Sequence, residues 1–277
     1  YLLAVIEDRL QGRFAALLRG VLKYLSYLYT GIIQLRLWLF THRILRPHTL
    51  GCQVISVGNL TVGGTGKTPI VEVFARALQQ NGRKVAIISR GYKKHETPFW
   101  ERLLQRLTLQ AARVPPRVVS DGKRLLLDSE MSGDEPYMLA SNLPRVCVIV
   151  DKDRVKAGRH AIGKLGCDTL ILDDGFQYLR LRHRLDIALV DCTNAFGNRH
   201  VLPRGVLREP VRNIKRASFI FITKSSRDGN AELKKQLREL NDKAEIAECR
   251  HCARHLQNVY NGERQPLEML KGLNIAA

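Results

Sequence analysis

The chain has 277 residues, enough for one large domain or two ordinary ones. Hydrophobic residues at 45% and charged residues at 26% exclude wholesale disorder, and 45 lysines and arginines against 26 acids leave a formal charge of +19. Such an excess selects anionic partners: nucleic acid, an acidic membrane face or a phosphorylated substrate.

The cysteines (Cys52, Cys147, Cys167, Cys192, Cys249, Cys252) mostly sit in or beside apolar runs of a chain too large to need disulfide staples. Reduced thiols in a reducing compartment fit that pattern. The start at Tyr1 and the stop inside the apolar phrase Leu273-Asn-Ile-Ala-Ala277 suggest clipped ends.

From Leu3 to Phe40, apolar residues recur every three or four positions: Leu3, Ile6, Leu10, Phe14, Leu17, Val21, Leu25, Leu28, Ile32, Leu35. The spacing predicts a long amphipathic helix, with a break near Gly31. Lys23 and Arg36 keep its apolar core shorter than the ~20 residues of a membrane span. Aromatic residues (Tyr24, Tyr27, Tyr29, Trp38, Phe40) and a basic flank (Arg9, Arg13, Arg19, Arg43, Arg46) suit a helix lying in the interface of an anionic leaflet. The plainer alternative is a packing helix of a soluble domain. Arginines and acids interrupt the stretch and no small-residue cleavage site follows, which argues against a signal peptide.

Gln53-Val-Ile-Ser-Val57 reads as a buried strand, and Pro69 to Leu78 as a helix closed by Asn81-Gly82. Between them lies Gly58-Asn-Leu-Thr-Val-Gly-Gly-Thr-Gly-Lys-Thr68, in the strand–loop–helix context of a P-loop. Thr61, Val62, Gly63, Gly64, Thr65, Gly66, Lys67 and Thr68 are the expected phosphate cradle, with Thr61 in place of the usual first glycine. Backbone N–H groups and the helix N-terminus attract phosphate. Lys67 would reach the β- and γ-phosphates of ATP, and the Thr68 hydroxyl would hold Mg²⁺.

Further apolar strands follow at Lys84–Ser89, Arg145–Val150, Cys167–Leu172 and Asp186–Val190. Runs of this kind are buried on both faces, so the fold class expected is α/β: a P-loop NTPase-like, mainly parallel sheet flanked by helices. Ligands gather beyond the carboxyl ends of such strands, where Arg90, Asp151, Asp173 and Asp174 fall. Asp173 ends an apolar strand as a Walker-B aspartate does and is a candidate Mg²⁺ ligand, with Asp174 beside it. Asp-Asp-Gly as a plain strand-ending turn is the alternative.

Five motifs occur in order: Val57 to Pro69, Ser89-Arg-Gly-Tyr92, Gly133-Asp-Glu-Pro136, Asp173-Asp-Gly-Phe-Gln177 and Leu202-Pro-Arg-Gly-Val-Leu-Arg-Glu-Pro210. In these residues the chain resembles the tetraacyldisaccharide 4′-kinases of lipid A biosynthesis, from the N-terminal helix to about residue 277. The resemblance implies transfer of the γ-phosphoryl of ATP, with Mg²⁺, to the 4′-hydroxyl of a tetraacylated glucosamine disaccharide 1-phosphate. It places the site at the cytoplasmic face of the bacterial inner membrane, peripheral or monotopic, with an anionic membrane surface as partner and no nucleic acid. It implies Asp134 as the base that accepts the hydroxyl proton, supported by Glu135. Arg90, Arg204 and Arg208 would meet substrate or nucleotide phosphates, and Gln177 and Asp174 would complete the polar lining around Mg²⁺.

Three departures qualify the resemblance. Tyr178 stands where the family usually has histidine, and Val206 where it usually has proline. The family continues with a Gly-x-Pro segment and an Asp-His motif beyond Ala277, so a molecule ending there is expected to bind nucleotide but turn over poorly. The organisation expected is a membrane-associated helical segment at 1–50, a P-loop core at 51–175 and a smaller α/β lobe at 176–277, with the site in the cleft between the last two.

A nucleic-acid-dependent P-loop ATPase also fits the charge, although no nucleic-acid module is visible. A membrane-associated, non-catalytic nucleotide binder is the other rival. Cys249-Arg-His-Cys252 with His251 and His255 has only a strained route to tetrahedral zinc and reads as a polar turn. The basic stretch Tyr92–Arg124 reads as a loop with a short helix at Phe99–Leu109. Thr223-Lys224 lacks the aspartate two residues on that guanine selectivity needs, and Ala231–Leu240 reads as a polar helix.

Overall fold

The computed structural model describes residues 2–6, 8–64, 66–91, 114–225, 229–250, 252, 255–258 and 261–271. The chain opens with a short helix α1 (Leu2–Ile6) and a long one, α2 (Arg13–Thr41). The break expected near Gly31 falls instead at the 8–12 turn, where Gly12 takes φ 127° and Asp8 φ 61°. α2 runs unbroken through Gly31, because one glycine costs only about 1 kcal/mol in a helix interior and the flanking turns propagate through it. The turn is fixed from outside: Val5 packs with Ala15 and Leu22, and Asp8 pairs with Arg19 and Arg204.

Two faces of α2 have different fates. Ser26 is buried and donates to the Val201 carbonyl at 2.7 Å, and Gln34 donates to Asn213 Oδ1 at 3.1 Å. The opposite face exposes Phe14, Tyr24, Tyr27, Leu28, Ile32, Leu35 and Trp38, an apolar stripe facing away from the protein. No helix among the described residues is long and apolar enough to cross a membrane.

Eight strands form one sheet: β1 (Gln53–Asn59), β2 (Val85–Ser89), β3 (Arg117–Asp121), β4 (Cys147–Val150), β5 (Thr169–Asp173), β6 (Leu185–Asp191), β7 (Phe219–Thr223) and β8 (Glu245–Glu248). The order is β3-β4-β2-β5-β1-β6-β7-β8, and only the edge strand β3 is antiparallel. Alternate side chains feed two cores. Ile55, Val57, Ile87 and Ile171 meet α3 (Lys67–Gln80) through Val71 and Ala75. The same face receives Leu139 and Ala140 of α5 (Asp134–Asn142), which follows the single turn α4 (Ser129–Ser132). Val54, Ile88, Leu170 and Leu172 meet α6 (Arg154–Gly163) on the other face. Burial on both faces is why these strands read as continuous apolar runs.

β6, β7 and β8 extend this sheet from β1 rather than starting a second one, so it runs across the boundary expected at 175/176. Their outer core gathers Phe176, Ile220 and Ile222 with Leu237 of α7 (Ala231–Leu240). The short helix expected at Phe99–Leu109 lies outside the described residues.

Candidate active site

The phosphate loop leaves β1 at Asn59 and ends at Gly66, whose φ of 72° lets α3 begin at Lys67. Buried Asn59 pins the loop entrance by donating to the Thr61 carbonyl at 2.8 Å and its hydroxyl at 3.2 Å. Thr61 also forms an antiparallel bridge with Leu207, and the Val62 amide donates to the Val206 carbonyl at 2.7 Å. An extended, bridged residue here needs no left-handed backbone, so threonine serves where glycine is usual. Thr65 lies outside the described residues. Gly58 is the position where small size matters: a Cβ there would stand 2.7 Å from Phe176 Cβ and 2.8 Å from the Phe176 backbone nitrogen.

Lys67 reaches across to the end of β5. Its Nζ donates to Asp174 Oδ1 at 2.9 Å and lies 3.4 Å from Asn59 Oδ1. Asp174 adopts φ 54°, a conformation that aspartate tolerates better than most side chains, and it also receives both its oxygens' bonds from Arg208 Nη1 at 2.8 and 2.7 Å. Burial works to raise the Asp174 carboxyl, but the Lys67 ammonium and the Arg208 guanidinium together hold it below the ordinary range. Asp173 is in the opposite state. Burial pushes its carboxyl above the usual value, against the bond from Ser89 Oγ at 3.0 Å and the attraction of Lys67. Adjacent aspartates therefore differ: one is satisfied by cations, and the other is a desolvated oxygen donor.

Gln177 donates to the Asn59 carbonyl at 2.9 Å and to Glu209 Oε1 at 2.8 Å, while its own Oε1 is buried with no partner. Glu209 is buried and also receives Asn213 at 2.7 Å and both terminal nitrogens of Arg216, at 2.7 and 3.0 Å. Sequence reading gave neither Glu209 nor Arg216 a role, although Glu209 lies inside a quoted motif. Arg154 was also missed. Its buried guanidinium donates to the carbonyls of Asp173 at 3.2 Å and Asp174 at 3.4 Å and stands 5.0 Å from the Tyr178 ring centre. The Tyr178 hydroxyl accepts from the Arg154 amide at 3.1 Å and donates to Asp153 at 3.2 Å, so tyrosine ties this turn to the start of α6.

These groups line one cleft of about 1500 Å³, which also takes in Thr68, Arg90, Asp134 and Glu135. Asp134 and Glu135 stand exposed in the first turn of α5. One wall is α2, through Tyr29, Ile33, Arg36 and Leu37. Arg204, expected among the phosphate ligands, does not join this lining. It is buried elsewhere, with its guanidinium bound to both oxygens of Asp8 at 2.7 and 2.8 Å and to the Ile6 carbonyl at 2.9 Å. With Nη2 on both Asp8 oxygens and Nη1 on the Ile6 carbonyl, it acts as a clamp on the N-terminal turn. Among the described residues, no group of three or more His, Cys, Asp or Glu is placed to hold a metal, and His251 lies outside them.

Comparison with known proteins agrees with this geometry. The family profile described as "Tetraacyldisaccharide-1-P 4'-kinase" matches residues 18–277. The tetraacyldisaccharide 4'-kinase of Geobacter sulfurreducens is 38% identical over 264 residues, covering 95% of this chain and 68% of the relative. That of Halothermothrix orenii is 34% identical over 289 residues, covering 100% of this chain and 71% of the relative. The crystal structure of LpxK from Aquifex aeolicus in complex with ATP superposes with a TM-score of 0.70 at 33% identity, over 92% of this chain and 71% of that one. A phosphate loop, a paired Asp-Asp turn and an amphipathic wall share one cleft here, and sequence and fold agree across nearly the whole chain: it belongs to the tetraacyldisaccharide-1-P 4'-kinase family.

Proposed function

We propose that the chain phosphorylates the 4′-hydroxyl of a tetraacylated glucosamine disaccharide 1-phosphate with ATP. The observation that carries this reading is the shared cleft, in which Lys67 and Asp134 face an apolar helix wall. Lys67 releases Asp174 to neutralise the β- and γ-phosphates, and the loop amides beyond Val62 cradle them. Asp134 accepts the proton of the attacking hydroxyl, with Glu135 beside it. Arg90 and Arg208 bind phosphate oxygens, where a guanidinium fork fits in pairs.

Thr68, Asp173 and Asp174 would hold Mg²⁺, with the unpartnered Gln177 Oε1 completing the lining. This all-oxygen donor set suits a hard cation that takes few protein ligands. When bound, that ion supplies charge neutralisation at the phosphates. The exposed stripe of α2, with its arginine flank, lies in the interface of the anionic cytoplasmic leaflet of the inner membrane. There it brings the cleft to the head group of an acceptor whose acyl chains stay in the bilayer.

Mass spectrometry of the acceptor after incubation with ATP tests the reading. A gain of one phosphate is expected, and none on a 4′-deoxy acceptor. Equal phosphorylation of the deoxy compound would place the chemistry at another hydroxyl.

A further inference from the structure

Arg36 is the polar exception on the cleft-facing stripe of α2. It shares that wall with Tyr29, Ile33 and Leu37, so a permanent cation stands in an otherwise apolar or aromatic surface. It is half-buried, its guanidinium carbon lies 5.9 Å from the centre of the Phe40 ring, and it has no carboxylate partner among the described residues. Most other cations of the cleft are already held. Lys67 and Arg208 bind Asp174, Arg216 binds Glu209, and Lys224 binds Asp191. Arg154 donates to the carbonyls of the Asp-Asp turn. Arg90 also has no carboxylate partner among the described residues, but it follows Ser89, the donor to Asp173, and so belongs to the phosphate-loop end.

A cation on an apolar wall with no acid beside it is complemented by whatever anion enters the cleft, and a phosphate matches the guanidinium fork with two bonds. We propose that Arg36 binds a phosphate group of the acylated acceptor at the α2 wall of the cleft, an assignment that rests on the kinase reading above. Acceptor chemistry places that group. The hydroxyl to be phosphorylated must reach the phosphate loop, and the acyl chains must leave along the apolar side of α2. The anomeric phosphate is carried by the other sugar, so the helix that meets the chains also meets this phosphate. Arg36 thereby selects 1-phosphorylated acceptors and sets the register of the disaccharide against Lys67 and Asp134. A phospholipid head group offers the same chemistry to the same fork, and the test separates the two sources.

Steady-state kinetics would use the 1-phosphorylated acceptor and the same disaccharide with a free anomeric hydroxyl. Both are presented in nonionic-detergent micelles, with and without phosphatidylglycerol. In the absence of phosphatidylglycerol, Arg36→Ala is expected to raise KM for the phosphorylated acceptor about 10- to 100-fold. It is expected to leave kcat and the KM for ATP within about twofold, and turnover of the hydroxyl acceptor unchanged. Arg36→Lys should recover part of the loss, because it restores the charge without the fork. Equal losses on both acceptors would make Arg36 a structural residue and overturn the assignment. A defect seen only with phosphatidylglycerol would give Arg36 to the bilayer, with the same consequence. If the wild-type chain uses both acceptors with the same KM, the assignment alone fails. If it phosphorylates neither, the kinase reading fails and takes the assignment with it.

Discussion

Lys67, Asp174 and Arg208 form a closed ion triad at the mouth of the phosphate loop, so the charges meant for phosphate are parked on an internal carboxylate. Removing Lys67 leaves the Arg208–Asp174 pair in place, so Lys67→Ala should keep the thermal midpoint of the free protein while kcat falls about 100-fold or more. Asp173 behaves differently. Burial holds its folded carboxyl above the unfolded value of 3.8, so the folded state takes up a proton first as pH falls. Its contribution to stability therefore grows from the folded value down to about pH 3.8 and is smallest at neutral pH. Asp174 has the opposite sign, since its lowered value gives stability above pH 3.8 that is lost as acid protonates it. Asp173→Asn should consequently stabilise the ligand-free protein at pH 7 by about 1 kcal/mol while abolishing phosphoryl transfer. Thermal melts at a series of pH values check this, and a lower midpoint for the variant at pH 7 would contradict it.

Among the elements, α2 has the least ordinary surface, because its apolar residues point both into the protein and out of it. Replacing Leu28 and Leu35 by Gln should weaken sedimentation with anionic vesicles by about tenfold per residue, since burying a leucine side chain is worth roughly 1.5–3 kcal/mol. Binding should also fall as salt rises, through the arginine flank. Vesicle binding unchanged in the double variant would remove α2 from the membrane. At the β1 end, Gly58→Ala forces a Cβ into the Phe176 backbone, and a melt should show a loss of about 1–3 kcal/mol. The strands were legible because runs such as Val54–Val57 and Leu170–Leu172 are buried on both faces and carry their own signal. The exposed β8 lacks such a run and was not read, and Arg117–Asp121, expected as part of a loop over Tyr92–Arg124, is instead the antiparallel edge strand β3, held by its pairing with β4. The helix break was misplaced because Gly31 looks like a breaker locally, whereas the actual turn is secured by Arg204, 196 residues from Asp8. The same contact explains why Arg204 read as a phosphate ligand: its motif is local and its partner is not.

At the scale of the whole molecule, the cleft joins regions remote in sequence, among them the N-terminal helix, the phosphate loop, the first turn of α5, the Asp-Asp turn and the segment from Leu202 to Arg216. A chain of hydrogen bonds runs from Gln34 through Asn213, Glu209 and Gln177 to Asn59, beside Lys67. The motifs Gly66-Lys-Thr68, Gly133-Asp-Glu135 and Asp173-Asp174 were readable in the sequence because each pairs a loop or turn with a chemical group. Arg36, Arg154 and Arg216 were not, since an arginine outside a motif shows its role only through what the fold sets beside it. Binding of ATP should raise stability by about 2.7 kcal/mol at a hundredfold excess over Kd, and this rise should be lost in Lys67→Ala. The most direct test of the account is transfer of radiolabelled γ-phosphate from ATP to a tetraacyldisaccharide 1-phosphate in detergent micelles, comparing the wild-type chain with Lys67→Ala. The account predicts label in the lipid with the wild-type chain and at least about a 100-fold lower rate with the variant. ATP-dependent stabilisation of the wild-type chain with no label entering the lipid would contradict it, leaving a nucleotide binder without this kinase activity.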